Sequence, residues 1–142
     1  MAIVGFTLMK ILAERKSVPA EKMNISNNVS VKDVDEFPVK GKPKDKAARF
    51  LYQFVSTYEP DVGRIEISGE VIWADEEKRI KDLLVSWKKD KKIPKEVMTE
   101  VLNVVLARCN IESVVISRDI SLPPPIPLPK VETKSTAEQY IG

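Results

Sequence analysis

Residues 49–75 have the sequence RFLYQFVSTYEPDVGRIEISGEVIWAD, and this stretch decides the fold. Both of its halves alternate with a period of two, which predicts strands with one buried and one solvated face. The strand Ala48–Tyr58 places four aromatic residues on one face, and the strand Arg64–Trp73 alternates apolar with charged or small residues. Glu59–Gly63 between them has turn composition, with proline at the second position. The stretch is therefore predicted to form an antiparallel hairpin. Its aromatic face consists of Phe50, Tyr52, Phe54 and Tyr58.

Two helices are predicted to follow the hairpin. Asp75 is placed to cap the first helix, whose apolar residues at helical spacing are Ile80, Leu83, Leu84 and Trp87. Pro94 opens the second helix at its favoured first position. That helix is apolar nearly all round as far as Cys109, which predicts burial in the domain or against a second subunit. Glu112–Leu122 returns to strand-like composition and leads into SLPPPIPLP, Ser121–Pro129, a proline-rich C-terminal strap.

The residues before the hairpin predict two more strands. Gly5–Arg15 is apolar on both alternating sets, a pattern that fits a strand buried on both faces or a helix. Met23–Val31 alternates clearly, and its serines and asparagines disfavour a helix, so it is predicted to be a strand with an exposed face. Asp33–Lys46 carries two prolines, a glycine and many charges and is predicted to be a loop. The fold class is thus α+β, with a four-stranded antiparallel sheet followed by two helices and the strap.

The composition favours binding over catalysis. The 142 residues contain no histidine and one cysteine, which removes most of the usual catalytic and metal-binding side chains. We therefore expect no enzyme, no metal and no cofactor. The net charge of +2 is too balanced to imply nucleic-acid binding by itself. No apolar run approaches the ~20 residues that cross a bilayer, and a single cysteine permits no internal disulfide, so a cytoplasmic protein is expected.

The chain resembles the SecB protein-export chaperone family, or an archaeal-type relative of it, over about residues 5–129. The similar stretches are FTLMKILAERKSVPAEKMNISNNVSV (6–31), the hairpin 49–75, and IPKEVMTEVLNVVLARCNIESVVISRDISLPPPIPLP (93–129). The resemblance implies a single domain at 1–129, and the polar composition of residues 130–142 predicts a flexible tail. SecB proper is acidic and ends in a metal-binding tail that docks on the SecA motor. This tail has neither cysteine nor histidine, so that partner does not carry over.

The resemblance also implies a groove for non-native polypeptide, formed by the second strand, the long helix and the strap. The matching positions are Met23, Ile25, Val29, Ile120, Leu122, Ile126 and Leu128. The alternative is that these side chains form ordinary core or oligomer contacts. The strap itself is either a polyproline ligand for an aromatic groove or a rigid segment packed across its own sheet.

Two further patterns carry alternatives. The aromatic face of the hairpin is either a stacking platform for bases or sheet core. The lysines of WKKDKK are either a phosphate-contacting patch or a solvated helix end, where cations are favourable anyway: Lys88, Lys89, Lys91 and Lys92. The function expected is an ATP-independent holdase for unfolded or nascent polypeptide, assembled as a homo-oligomer (dimer or tetramer). The rival hypothesis is a structural subunit of a ribosome or other ribonucleoprotein, touching RNA through the helix-end lysines and Lys40–Lys46.

Overall fold

Four antiparallel strands form one sheet, and two helices pack on one of its faces. The computed structural model describes residues 2–19, 22–39 and 45–127. The elements are β1 (Ala2–Arg15), β2 (Asn24–Phe37), β3 (Asp45–Glu59), β4 (Gly63–Glu76), α1 (Glu77–Asp90) and α2 (Lys95–Asp119). The sheet order is β1-β4-β3-β2, so the first two strands of the chain lie at opposite edges. The predicted α+β architecture is confirmed.

The β3–β4 hairpin supplies the centre of the core. Phe50 pairs with Val71 and Phe54 with Ile67, and all four side chains are fully buried against the helices. Ile65, Trp73, Tyr52 and Tyr58 are also buried, so the core interpretation of the aromatic face is confirmed. On the other face, Arg64 is exposed as expected.

The face of the hairpin that the alternation predicts to be solvated is mostly covered at Glu66 and Glu70, so the exposure expected there is wrong. The side chains of Glu66 and Glu70 are only 15% and 20% exposed. Their carboxylates lie against neighbours on β3: Gln53 donates a hydrogen bond to Glu66, and Arg49 lies 3.8 Å from Glu70. Alternation gives the face of the sheet correctly but says nothing about how closely polar neighbours on that face cover one another.

β1 is a strand whose alternation is broken by two bulges. The register with β4 shifts between Ile3 and Gly5 and again between Leu8 and Lys10. Each bulge inserts one residue and reverses which set of side chains faces the core. For this reason both alternating sets of the sequence are apolar, and Met9 at the second bulge is 64% exposed.

β2 is longer than predicted, and part of the predicted loop is wrong. The register with β3 shifts between Val31 and Asp33, after which Val34 faces the core at 4% exposure, opposite Phe50. Asp35, one residue on, pairs with Arg49. Because the bulge hides the continuing strand from a period-two pattern, residues 33–37 of the predicted loop belong to β2.

Asp75 is not the cap of α1, as predicted, but the penultimate residue of β4. It is 2% exposed and its carboxylate accepts hydrogen bonds from the Glu76 backbone N–H (2.8 Å) and the Trp73 indole N–H (3.5 Å). The Arg79 guanidinium lies 3.6 Å away. Glu76 occupies the cap position without a side-chain hydrogen bond. The apolar stripe of α1 is confirmed, with Ile80, Leu83 and Trp87 buried.

α2 continues through the residues predicted to be strand-like. It spans 25 residues to Asp119, and its buried face recurs every fourth residue: Val97, Val101, Val105, Cys109, Ser113 and Ser117. Ser113 and Ser117 donate their hydroxyl hydrogen bonds to the carbonyls of Asn110 and Val114, so these buried hydroxyls are satisfied within the helix. The strand-like prediction for Glu112–Leu122 is wrong because packing on the sheet outweighs the low helix propensity of its β-branched residues and serines.

Some predictions remain untested. Within residues 2–19, 22–39 and 45–127, neither helix is long and apolar enough to span a membrane. The end of the strap at Leu128–Pro129 and the tail 130–142 lie outside the described residues, as does most of the loop 40–46. The domain boundary at residue 129 stays a prediction.

Candidate polypeptide-binding site

The strap leaves α2 through a sharp turn and is anchored at once. Ser121 adopts a left-handed conformation (φ 57°), which redirects the chain after Asp119. The Leu122 backbone N–H then donates a hydrogen bond to the Ser117 carbonyl at 2.8 Å, and the Leu122 side chain is 5% exposed. An ideal Cβ on Gly63 of β4 would lie 3.0 Å from Leu122 Cδ1, so the strap begins in close contact with the end of the hairpin.

Beyond Leu122 the strap lies across the sheet face and is held by side chains. The Tyr58 hydroxyl donates to the Pro123 carbonyl at 2.7 Å, and Asn27 Nδ2 donates to the Pro125 carbonyl at 2.8 Å. Ser56 donates to Asn27 Oδ1 at 2.6 Å, which fixes the orientation of that amide. Among the described residues the strap makes no backbone ladder with β2, so it lies on the core side of the edge strand and does not extend the sheet.

The Tyr58 hydroxyl remains a hydrogen-bond donor to the strap. Tyr58 is fully buried, and burial raises the pKa of its hydroxyl to about 12, which keeps it protonated as a donor near neutral pH. Its acceptor, the Pro123 carbonyl, belongs to a run of prolines that have no backbone N–H to satisfy. At its prolines the strap therefore buries no backbone N–H of its own that would need an acceptor on this face.

The structure brings the predicted groove residues of β2 and the strap to one face of the sheet. In β2, Ile25 lies opposite Tyr58 and Val29 opposite Phe54, with Asn27 between them at the same parity. Met23, Ile25, Val29 and Ile120 are partly buried against the core, and Leu122 belongs to it. Ile126 is half-buried, and Leu128 lies outside the described residues. We refer to the sheet face formed by Ile25, Asn27 and Val29 of β2 and Tyr58 of β3, which the strap residues 122–127 cover, as the trough.

Sequence reasoning missed the two donors of the trough. Asn27 was visible as a polar residue within an otherwise apolar series, Met23, Ile25, Val29 and Val31. A polar side chain at such a position needs a hydrogen-bond partner when it faces the core. Tyr58 carried no comparable signal, because an aromatic residue on a buried strand face is ordinary and its hydroxyl partner, Pro123, is 65 residues away.

A second apolar surface runs along the edge strand β1 and the outer side of α2. On β1, Val4 (63% exposed) lines the cleft with α2, and Ile11 (49%) lies on the sheet face that the helices cover. The exposed Leu12 and Met9 lie on the other face of the sheet, Leu12 opposite Glu66 and Met9 beside Lys32 and Gln53. On α2, Ile111 and Val115 are 64% and 41% exposed. An open cleft of about 520 Å³ lies between the two elements, with Arg108 above the Phe6 ring at 5.4 Å. Of the two alternatives for α2, burial within the domain accounts for only one of its faces, and burial of the outer face against a second subunit stays a prediction.

The helix-end lysines lie at the turn between α1 and α2. Lys88, Lys89, Lys91 and Lys92 are all exposed. Lys91 ends the helix in a left-handed conformation, and its ammonium lies 5.0 Å from the centre of the Trp87 ring. None of the four forms a salt bridge within the described part of the chain. Both hypotheses for this patch, a solvated helix end and a phosphate contact, are compatible with that geometry.

The single cysteine of the chain lies in the core. Cys109 is fully buried, and burial raises the pKa of its thiol to about 12, so it is a neutral thiol near physiological pH. Within residues 2–19, 22–39 and 45–127, no group of three histidine, cysteine, aspartate or glutamate side chains is arranged to hold a metal ion.

The sheet order, the two helices and the strap together define a SecB-like fold. The solved structure of the Mycobacterium tuberculosis SecB-like chaperone Rv1957, in complex with a ChAD peptide from the HigA1 antitoxin Rv1956, is similar with a TM-score of 0.51. The match covers 93% of this chain and 91% of that chain at 12% sequence identity. No family model and no curated protein matches the sequence. The likeness therefore rests on the fold, and the archaeal-type assignment stays a prediction.

Proposed function

We propose that this protein is a non-catalytic, ATP-independent holdase of the cytoplasm that binds non-native polypeptide in the trough. One observation carries the proposal: a segment of polypeptide, the strap, already lies on the face of β2 that carries Ile25 and Val29. Among its residues 122–127 the strap bends only at Pro125 and Ile126. The SecB-like fold supports the same function, since the similar structure is described as a chaperone in complex with a peptide.

The physical basis of holdase activity is the burial of apolar surface. Removing apolar area from water contributes about 25 cal/mol per Å², and this term does not depend on the order of side chains in the client. Ile25 and Val29 provide such area along one strand, and backbone acceptors of the client provide hydrogen bonds that every sequence can make. No nucleotide is required because binding and release follow the supply of unfolded chain.

The test is suppression of aggregation of a chemically denatured model client, without ATP. Wild-type protein in excess should suppress light scattering, and Ile25→Asp should lose most of that activity, because a charge in the trough removes binding. Lys89→Glu, at the exposed helix end, should retain activity. Val85→Asp is the matched control, since it places the same charge on an apolar residue that is 64% exposed on α1.

Circular dichroism of each variant separates loss of binding from loss of folding. The holdase proposal fails if the folded wild type shows no suppression in excess over client. It also fails if the folded Ile25→Asp variant suppresses aggregation as well as Val85→Asp does.

A subunit of a ribonucleoprotein is the second candidate, favoured by the four exposed lysines without salt bridges described above. Such a subunit would bind RNA with an affinity that falls steeply with salt concentration. Lys89→Glu would then weaken RNA binding and Ile25→Asp would not, the reverse of the order expected for a holdase. Gel-shift titrations with a mixed-sequence RNA at two salt concentrations distinguish the two functions.

A further inference from the structure

The two donors of the trough meet carbonyls that are two residues apart. In an extended chain, groups at positions i and i+2 point to the same side. The carbonyls of Pro123 and Pro125 have this spacing, and they are bonded by Tyr58 and Asn27 respectively. The contact uses only backbone acceptors of the strap, so it does not depend on the side chains that the strap carries.

The strap is bound along one side only. Leu122 and Pro125 are buried, whereas Pro124 and Pro127 are exposed. Two side-chain hydrogen bonds and these two buried side chains are far less than what holds the sheet together, so the strap can detach locally while the core stays folded. Asn27 is exposed even with the strap in place. Detachment past Leu122 would therefore free its amide donor and uncover the buried Tyr58, on the same sheet face as Ile25 and Val29.

We propose that Asn27 and Tyr58 form a binding site for alternate backbone carbonyls of an extended polypeptide, and that the strap occupies this site until a client displaces it. The inference rests on the proposed holdase function and adds the recognition chemistry and the internal competitor. A client binds in the strap's place, and its backbone carbonyls accept hydrogen bonds from the same amide and the same hydroxyl.

The displacement is measured by thiol labelling of a Pro125→Cys variant. Position 125 is buried, and the substitution keeps the backbone carbonyl that Asn27 binds. We expect slow labelling in the resting protein and labelling about fivefold faster or more with saturating reduced, carboxymethylated α-lactalbumin, a permanently unfolded client. The native Cys109 is fully buried, so its failure to react in wild-type protein reports that the core stays closed. Ile126→Cys, at a half-buried strap position, provides the same measurement if Pro125→Cys does not fold.

The role of the amide is tested by adding Asn27→Asp to the Pro125→Cys variant. The new carboxylate still accepts from Ser56 but presents an acceptor to the carbonyl of residue 125, so the donor is lost without a change of size. We expect resting labelling at position 125 to be about fivefold faster, the effect of one lost hydrogen bond. Client affinity should change little, because the client and the strap that it displaces lose the same hydrogen bond. Asn28→Asp is the control, because Asn28 lies on the opposite face of β2 and should change neither quantity.

Each outcome decides between the two proposals. Client binding by fluorescence anisotropy with unchanged or slower labelling at position 125 overturns the displacement and leaves the holdase function standing. Unchanged resting labelling in Asn27→Asp overturns the anchoring of the strap by Asn27. Faster labelling with tighter client binding overturns carbonyl recognition by Asn27. No client binding by wild-type protein at all overturns the holdase function and this inference with it.

Discussion

The hydroxyl of Tyr52 donates a hydrogen bond to the backbone carbonyl of Thr7 at 3.1 Å, which joins β3 to the edge strand β1 across β4. The crossing is possible because β4 has Gly69 at that point. An ideal Cβ there would lie 1.9 Å from the Thr7 carbonyl oxygen and 2.7 Å from the Tyr52 hydroxyl. The glycine is therefore required by space between three strands.

Gly69→Ala is expected to destabilise the fold strongly. The added methyl group meets backbone of β1, which cannot move without disturbing its ladder, so the free energy of unfolding should fall by about 1–3 kcal/mol or more. Gly5→Ala is the matched control, since its added methyl group meets only Ile72 side-chain atoms at 3.1 and 3.3 Å. Urea unfolding measures both variants. Equal losses in the two would contradict the steric argument.

The fold is expected to lose stability at alkaline pH. Burial raises the pKa of Cys109 from 9.0 to about 12 and of Tyr58 from 10.0 to about 12, and it also raises the pKa of Tyr52. Above pH 9 the unfolded chain therefore releases protons that the folded chain keeps, so unfolding becomes more favourable as pH rises. Each such group contributes a slope of about 1.4 kcal/mol per pH unit until its folded-state pKa is reached.

Urea unfolding from about pH 8 to about pH 11.5 measures this loss. The double variant Tyr58→Phe/Cys109→Ala should lose stability less steeply with pH, because it has two fewer groups to ionise on unfolding. A free energy of unfolding that stays constant across this range in the wild type would contradict the assignment.

Asp75→Ala tests whether Asp75 stabilises the fold as a buried hydrogen-bond acceptor or only as much as a helix cap would. Removing the carboxylate leaves the Trp73 indole N–H and the Glu76 backbone N–H without the acceptor they have now. We expect a loss of about 2–4 kcal/mol in the free energy of unfolding, more than the ~1 kcal/mol of a lost cap. Asp82→Ala, at an exposed position of α1, is the control. A loss no larger than that of the control would show that the hydrogen bonds to Asp75 do not stabilise the fold.

Self-association is expected through the apolar surface of β1 and the outer side of α2. The edge position of β1 in the sheet and the exposed apolar side chains of Ile11 and Ile111 are features that a second chain would cover. Sedimentation at micromolar concentration should give a mass of two or four chains, and Ile11→Glu should lower it. Val18→Glu is the control, since Val18 is 78% exposed in the β1–β2 connection and belongs to neither β1 nor α2. A wild-type mass near one chain would refute the prediction.

The sequence predicted the elements whose pattern is local and unbroken. The hairpin from Arg49 to Asp75 and the apolar stripe of α1 follow from periods of two and 3.6, and both are confirmed. Ile25 and Val29 lie on β2 and Leu122 and Ile126 on the strap, as expected, and whether the groove residues bind polypeptide stays a prediction. Pattern succeeds at these positions because each side chain's face depends only on its neighbours in the chain.

Tertiary structure alone decided the features that depend on distant contacts. The bulge after Val31 reverses the parity of β2, and only pairing with β3 reveals that Val34 faces the core. The serines near the end of α2 become helical because packing on the sheet outweighs their propensity. The partnership of Tyr58 with Pro123 spans 65 residues. Hydrogen bonds of this kind leave no periodic signal in the sequence, because their geometry exists only once sheet, helix and strap have packed together.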